Sequence, residues 1–244
     1  SEVISIRTDT VNRLSVFEQK GKSLTLVGQT KDLAKGERIY SVRFMGDRGY
    51  VVTFRQVDPL YTIDLSEPTS PVVTGELKIP GFSSYMHPVD KDHLLTIGRD
   101  VDASSGRVRG LKLSVFDVSD DKNPKEINHV IEDKSFWSEA QYDHHAFTFL
   151  RSKKLLAIPV SGYKYRVFSS KVLLYKLADD YSVSKVGEVI YQPLLNRIYS
   201  YGAAHRNIFT VDSADNVYLY TLGTDGSQII SMQDLESILA RAPY

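Results

Sequence analysis

The chain has 244 residues, 42% apolar, 11% aromatic and 25% charged, with thirty Lys and Arg against thirty Asp and Glu. That is enough apolar material for a folded core, and the zero net charge excludes a generic polyanion surface, so no nucleic-acid partner is expected. No cysteine is present, which excludes thiol catalysis, disulfides and Cys-zinc sites. No run approaches eighteen apolar residues and Ser1-Glu2-Val3-Ile4 has neither a basic nor an apolar leader region, so neither membrane insertion nor a signal peptide is expected of this chain.

Short alternating apolar runs separated by polar turns follow one another along the chain, the pattern of half-buried strands. Val3–Arg7, Leu14–Phe17 and Leu24–Val27 come first, then Ser41–Phe44 and Tyr50–Phe54 about the turn Asp47-Arg48-Gly49. Leu60–Ile63 leads through Asp64-Leu65-Ser66-Glu67-Pro68-Thr69-Ser70-Pro71 into Val72-Val73-Thr74. Leu113–Phe116 leads through Asp117-Val118-Ser119-Asp120-Asp121-Lys122-Asn123-Pro124 into Glu126–Val130. Both turns read Asp, aliphatic, Ser, acid, then Pro at the eighth place. Looser copies link Leu14–Phe17 to Val27-Gly28 and Leu173–Tyr175 to Val186-Gly187, and a degenerate one is Ile230–Leu235. Ala146–Phe149 and Leu155–Val160 flank Arg151-Ser152-Lys153; Ile208–Val211, Val217–Thr221 and Gln228–Met232 come last. Leu235-Glu236-Ser237-Ile238-Leu239-Ala240-Arg241 reads as a closing helix.

The anchors Leu14, Leu60, Leu113, Leu173 and Ile230 lie 46, 53, 60 and 57 residues apart, close to the roughly 40–50 residues of a four-stranded propeller blade. A β-sandwich also has many short strands, but it gives no reason for an eight-residue turn to recur in one strand context. The sequence therefore predicts an all-β fold, a β-propeller of four-stranded antiparallel blades with about five units in one region, 1–244. The units are 1–30 (partial), 38–79, 83–131, 138–190 and 198–244 (partial). The first unit shows three strands and lacks its innermost; the last lacks its outer strand. That imbalance favours a piece of a larger ring, whose free edges predict a tendency to homodimerise.

From Gly36-Glu37-Arg38-Ile39-Tyr40-Ser41-Val42-Arg43-Phe44 through Met45-Gly46-Asp47-Arg48-Gly49-Tyr50-Val51-Val52-Thr53-Phe54 to Leu60 the chain resembles a known family. These are secreted bacterial and archaeal proteins with a C-terminal β-propeller domain, distantly related to WD-repeat propellers. The likeness continues through Gly75–Pro88 and Ser138–Phe147, departing at His145, where the family pattern favours Lys; it is specific from about residue 12 to 160. The resemblance implies a propeller, export to the envelope or beyond, several hundred residues N-terminal to this region, and no catalytic residues to carry over.

Four constellations could carry chemistry. Aligning Tyr40, Tyr85 and Tyr142 places Val42, His87 and His144 at equivalent positions, with Arg43, Pro88 and His145 next, and His205 stands similarly in the last unit. Innermost strands line a propeller's channel, so these imidazoles could converge on zinc or copper, with Glu139 and Asp143 ligating or orienting them; otherwise each ring satisfies local groups. Asp100, Asp102 and Ser104 have the alternating oxygens of a calcium loop, but Ser105 and Leu111 stand where an EF-hand needs Gly and Glu; a solvated hairpin tip is the competing reading.

Arg38, Arg43, Arg48 and Arg55 could grip a carboxylate or phosphate, or pair with Glu37, Asp47 and Asp58. Trp137 in one connection, and Tyr163, Tyr165 and Phe168 in another, are the residue types that anchor interfaces. No phosphate loop, nucleophile elbow or zincin motif is present. The reading is a non-catalytic propeller module of an exported or cell-envelope protein, binding a protein, peptide or glycan through channel-mouth loops. The alternative is a metal-dependent enzyme, an oxidoreductase or hydrolase, built on the histidine cluster.

Overall fold

A computed structural model describes residues 11–54, 58–164, 167–191 and 203–244. The strand expected at Val3–Arg7 lies outside them. Nineteen strands and three short 3-10 turns make up the regular structure among the described residues, so the fold is all-β.

The strands fall into five sheets. β1 (Ser15–Lys20) and β2 (Ser23–Gln29) form the first. β3 (Arg38–Met45), β4 (Arg48–Phe54), β5 (Asp58–Asp64) and β6 (Val72–Ile79) form an antiparallel meander. β7 (Phe82–Pro88), β8 (His93–Val101), β9 (Val108–Asp117) and β10 (Lys125–Asp133) follow in the same order. The fourth sheet runs β11 (Phe136–Ser138), β13 (Leu155–Lys164), β14 (Val167–Leu177), β15 (Val183–Ile190), with β12 (Thr148–Leu150) also paired to β13. The fifth is β16 (Ala204–Val211), β17 (Val217–Gly223), β18 (Gly226–Ser231) and β19 (Asp234–Pro243). Sequential strands pairing with their neighbours four at a time is the blade of a propeller.

Two expectations fail here. Leu235–Arg241 is strand, not helix: β19 pairs antiparallel with β18. The last sheet therefore has its outer strand, and the imbalance argument loses that premise. The helical spacing has a physical origin, because the β18–β19 ladder slips on both sides of Ile230. Between Ser231↔Asp234 and Ile230↔Ile238 three residues, Leu235, Glu236 and Ser237, have no ladder partner; such an irregularity resets the alternation, so Leu235 and Ile238, three apart, both pack on the core cluster of Leu174, Leu219 and Ile230.

The chain divides into two compact units: Ser1–Thr96, Val101–Arg107 and Phe116–Lys125 in one, Ile97–Asp100, Val108–Val115 and Glu126–Tyr244 in the other. In the first, Tyr50, Val52, Leu60, Met86, Leu94, Phe116 and Val118 form a buried cluster. In the second, Ala157, Val172, Leu174 and Val189 pack against Ala204, Leu219 and Ile230 of the next sheet.

The repeated turn explains how neighbouring sheets lock. In each copy the leading Asp accepts the backbone N–H two residues on, Ser66 to Asp64 at 2.8 Å and Ser119 to Asp117 at 2.9 Å. A second turn follows, closed by Ser70 N–H on the Glu67 carbonyl in one copy and Asn123 N–H on the Asp120 carbonyl in the other. Pro71 and Pro124 then stand directly before β6 and β10, where no ladder donor is needed.

Each turn sits on the outer strand of the preceding sheet at a fixed place. A Cβ on Gly28 of β2 would lie 2.1 Å from the Pro68 carbonyl oxygen; one on Gly75 of β6 would lie 2.2 Å from that of Asp121; one on Gly187 of β15 would lie 2.3 Å from Leu235. All three glycines flank the same irregularity: the ladders slip just after Val16↔Gly28, Thr62↔Gly75 and Leu174↔Gly187. The bulge bends the strand and the missing side chain lets the next turn approach.

Asn128 stands eleven residues after Asp117, as Gly75 does after Asp64, and its side-chain oxygen accepts Val183 N–H at 3.0 Å. There a polar side chain reaches the following sheet where glycine elsewhere yields to it.

Gly75→Ala should therefore lower stability by about 1–3 kcal/mol, the scale of overpacking, in urea unfolding. Gly49→Ala, whose Cβ would meet nothing closer than 3.4 Å, should cost clearly less.

Candidate functional site

In the second unit the β11–β12 connection and the β13–β14 hairpin build one face. Two 3-10 turns, Glu139–Gln141 and His144–Ala146, separate β11 from β12. Ser138 caps the first: its hydroxyl accepts Ala140 N–H at 3.2 Å and donates to the Pro159 carbonyl at 2.7 Å, while the Gln141 side chain accepts Ser138 N–H. Asp143 caps the second, accepting His145 N–H at 2.9 Å. These side-chain caps satisfy backbone donors that a strand ladder would otherwise hold.

The consequence for the histidines is direct. His144 and His145 were expected on an innermost strand; they lie on the second 3-10 turn, because Ser138 and Asp143 interrupt that strand. Asp143 Oδ1 also lies 2.9 Å from His145 Nδ1, and its other oxygen pairs with Arg206 on β16. The donor atoms of Asp143, His144 and His145 all lie within 4.8 Å of one another, the one such group among the described residues. His205 precedes Arg206 on β16. His87 belongs to the other unit, on β7, with its Nδ1 3.4 Å from the Tyr85 hydroxyl.

Cross-strand pairing assembles the aromatic residues. Trp137 stands opposite Ser161, and Tyr163, two residues along β13, stands opposite Phe168 on β14. Alternation puts all of them on one face. Ring centroids are 6.2 Å apart for Trp137 and Tyr163, 6.4 Å for Trp137 and Phe168, and 5.3 Å for Tyr163 and Phe168. Trp137 remains 38% and Tyr163 48% exposed, so the cluster is a surface platform and not core. A cleft of about 90 Å³ opens beside it, lined by Trp137, Glu139, Ser161, Phe168, Ala204 and His205. The hairpin signalled its aromatics in sequence; Arg206 and His205 reach this face from sixty residues away and gave no local sign of it.

The remaining candidates resolve into structural roles. Asp102 accepts from the backbone N–H and hydroxyl groups of both Ser104 and Ser105. The Ser104 hydroxyl leads the donors that hold its carboxyl well below the usual range. The segment is a closed hairpin tip, with Gly106 N–H on the Asp102 carbonyl at 2.8 Å and Gly106 at φ +68°. Asp100 is buried and pairs with Arg109 at 2.6 Å. Arg43 donates to the Met86 carbonyl at 2.8 Å and lies 5.3 Å over the Tyr85 ring.

Arg48 bonds the Val118 carbonyl at 3.2 Å and pairs with Asp121 and Asp92. The two arginines thus tie one sheet to the next. Arg55 and Tyr165 lie outside the described residues.

A family model described as "Beta propeller domain" matches residues 3–235. The chain belongs to that beta-propeller family. The match runs over nearly all of the 244 residues. An uncharacterized protein of Methanocaldococcus jannaschii is 38% identical over 187 residues, 76% of this chain and 28% of its own length. One of Archaeoglobus fulgidus is 44% identical over 160 residues, 66% and 24% of the two chains. The chain thus spans about a quarter of the length of the curated relatives it matches. Among solved structures, a luciferin-regenerating enzyme is similar over 88% of this chain and 65% of its own, at 15% identity and a TM-score of 0.40.

The His145 backbone N–H, then its ring, then Arg206 hold the Asp143 carboxyl below its ordinary value. A depressed folded value means the stabilisation is complete above the unfolded value, about 3.9, and is lost as pH falls through the folded one. The stability gap between the wild type and Asp143→Asn should be present at pH 7 and close below about pH 4, in denaturant melts across that range.

Proposed function

We propose that this propeller is a non-catalytic binding module of an exported or cell-envelope protein, taking a protein or peptide partner on the face built by Trp137, Tyr163 and Phe168. The observation that carries the reading is an exposed aromatic cluster beside a cleft that holds a carboxylate and an imidazole, Glu139 and His205. Half-exposed Trp and Tyr supply large contact area at low side-chain entropy cost, and they dominate measured binding energies at interfaces.

Size argues for the class of partner. A drug-sized ligand needs roughly 300–1,000 Å³, whereas this cleft offers about 90 Å³. That volume suits one protruding side chain, with the aromatic platform covering the surface around it. A glycan is the competing ligand, one ring on the platform and hydroxyls on Glu139 and His205. Balanced charge along the chain speaks against nucleic acid, and the export assignment rests on the family resemblance.

Peptide-display selection on the purified chain, run beside a glycan array, tests the proposal. Trp137→Ala with Phe168→Ala should weaken the selected peptide at least about tenfold, the scale of two modest hot spots, with the melting temperature of the variant measured in parallel. Peptides that bind with full affinity to the double variant, or selection of glycans alone, would overturn it.

A further inference from the structure

We propose that Asp143, His144 and His145 form a binding site for a divalent transition-metal ion of the zinc type, distinct from the aromatic cleft. Their three donor atoms lie within 4.8 Å of one another. Two ligands each about 2.0–2.1 Å from zinc stand about 3–3.5 Å apart. The separation of Asp143 Oδ1 from His145 Nδ1, 2.9 Å, is close to that spacing, so this pair can take an ion between them in place of their hydrogen bond. The two imidazole centroids lie 3.9 Å apart with 35° between planes, so both rings are at hand and one must turn in its plane to bring its nitrogen to an ion held by the other two groups.

The capping role of Asp143 does not account for this arrangement. The cap uses only the carboxylate and the backbone of His145, yet two successive rings are stacked beside it, both exposed. Arg206 holds the far carboxylate oxygen, turning Oδ1 toward the rings as outer groups orient metal ligands. Two nitrogens and one oxygen select zinc, copper or nickel over calcium or magnesium, which take oxygen sets. Three protein ligands on an exposed turn leave coordination positions open to water, and the nearby guanidinium charge opposes a second cation, so the affinity is modest. His87 and Glu139, both candidates in the sequence, are not part of this donor group.

The test uses the full, untagged chain after removal of metal by chelator, titrated with zinc chloride in a calorimeter. The wild type should take up one equivalent. His144→Ala with His145→Ala, which retains Asp143 and its cap, should bind at least about tenfold more weakly, while His87→Ala binds as the wild type does. Absence of saturable binding by the wild type, or equal affinity in the double variant, would overturn the proposal. Should the double variant fail to fold, cobalt added to the wild type decides: visible bands displaced from those of the aqueous ion support nitrogen ligation, and an unchanged aqueous spectrum contradicts it.

Discussion

Where one sheet meets the next, a backbone turn lies against the outer strand of its predecessor at a distance that leaves no room for a side chain. Gly28 and Gly75 meet that constraint against a backbone carbonyl, and Gly187 takes the Leu235 side chain at the equivalent place, each beside a slip in its ladder. The bulge and the glycine work together, since the first bends the strand toward its neighbour and the second removes the atom that would collide. The turn that fills the seat is itself held by an aspartate accepting the N–H two residues on, as at Asp64 and Asp117. The same local bond recurs at Asp180 and Asp212. A short polar side chain competing successfully for backbone donors is thus the device that shapes the sheet-to-sheet contacts.

The same device builds the candidate site by an opposite effect. At Ser138 and Asp143 the caps break an inner strand instead of closing a hairpin, leaving β11 and β12 as short pieces on β13. The residues released from the ladder, Glu139 and His144–His145, present carboxylate and imidazole groups on the turns instead. The long β13–β14 hairpin supplies rigid strands for Tyr163 and Phe168. Loops held by a rigid scaffold are where binding residues concentrate.

Much of the architecture was legible because it repeats. The eight-residue turn, recurring between apolar runs, points to stacked four-stranded units, and the alternation in Leu60–Ile63 or Leu113–Phe116 gives the strands. Period misled at Leu235–Arg241, where a three-residue break in the ladder lets residues three apart pack on one core and imitates a helix. The alignment on Tyr40, Tyr85 and Tyr142 misled for a related reason: Tyr142 follows a capped 3-10 turn, not a strand. Sequence named His144, His145, Asp143 and Glu139 as one neighbourhood, but the pairing of Asp143 with Arg206, and the place of His205 in the cleft, depend on contacts across about sixty residues. The aspartates read as a calcium loop were in the right segment, yet their oxygens serve Ser104, Ser105 and Arg109.

The central claim is that outer-strand glycines at bulges seat the turns of the following sheet, and a crystal structure of the chain tests it most directly. The account predicts the pairs Val16↔Gly28, Thr62↔Gly75 and Leu174↔Gly187, each followed by a bulge, with the Pro68 and Asp121 carbonyls and the Leu235 side chain in van der Waals contact with the glycine Cα atoms. Turns standing away from those glycines, or a register in which the glycines face solvent, would contradict it.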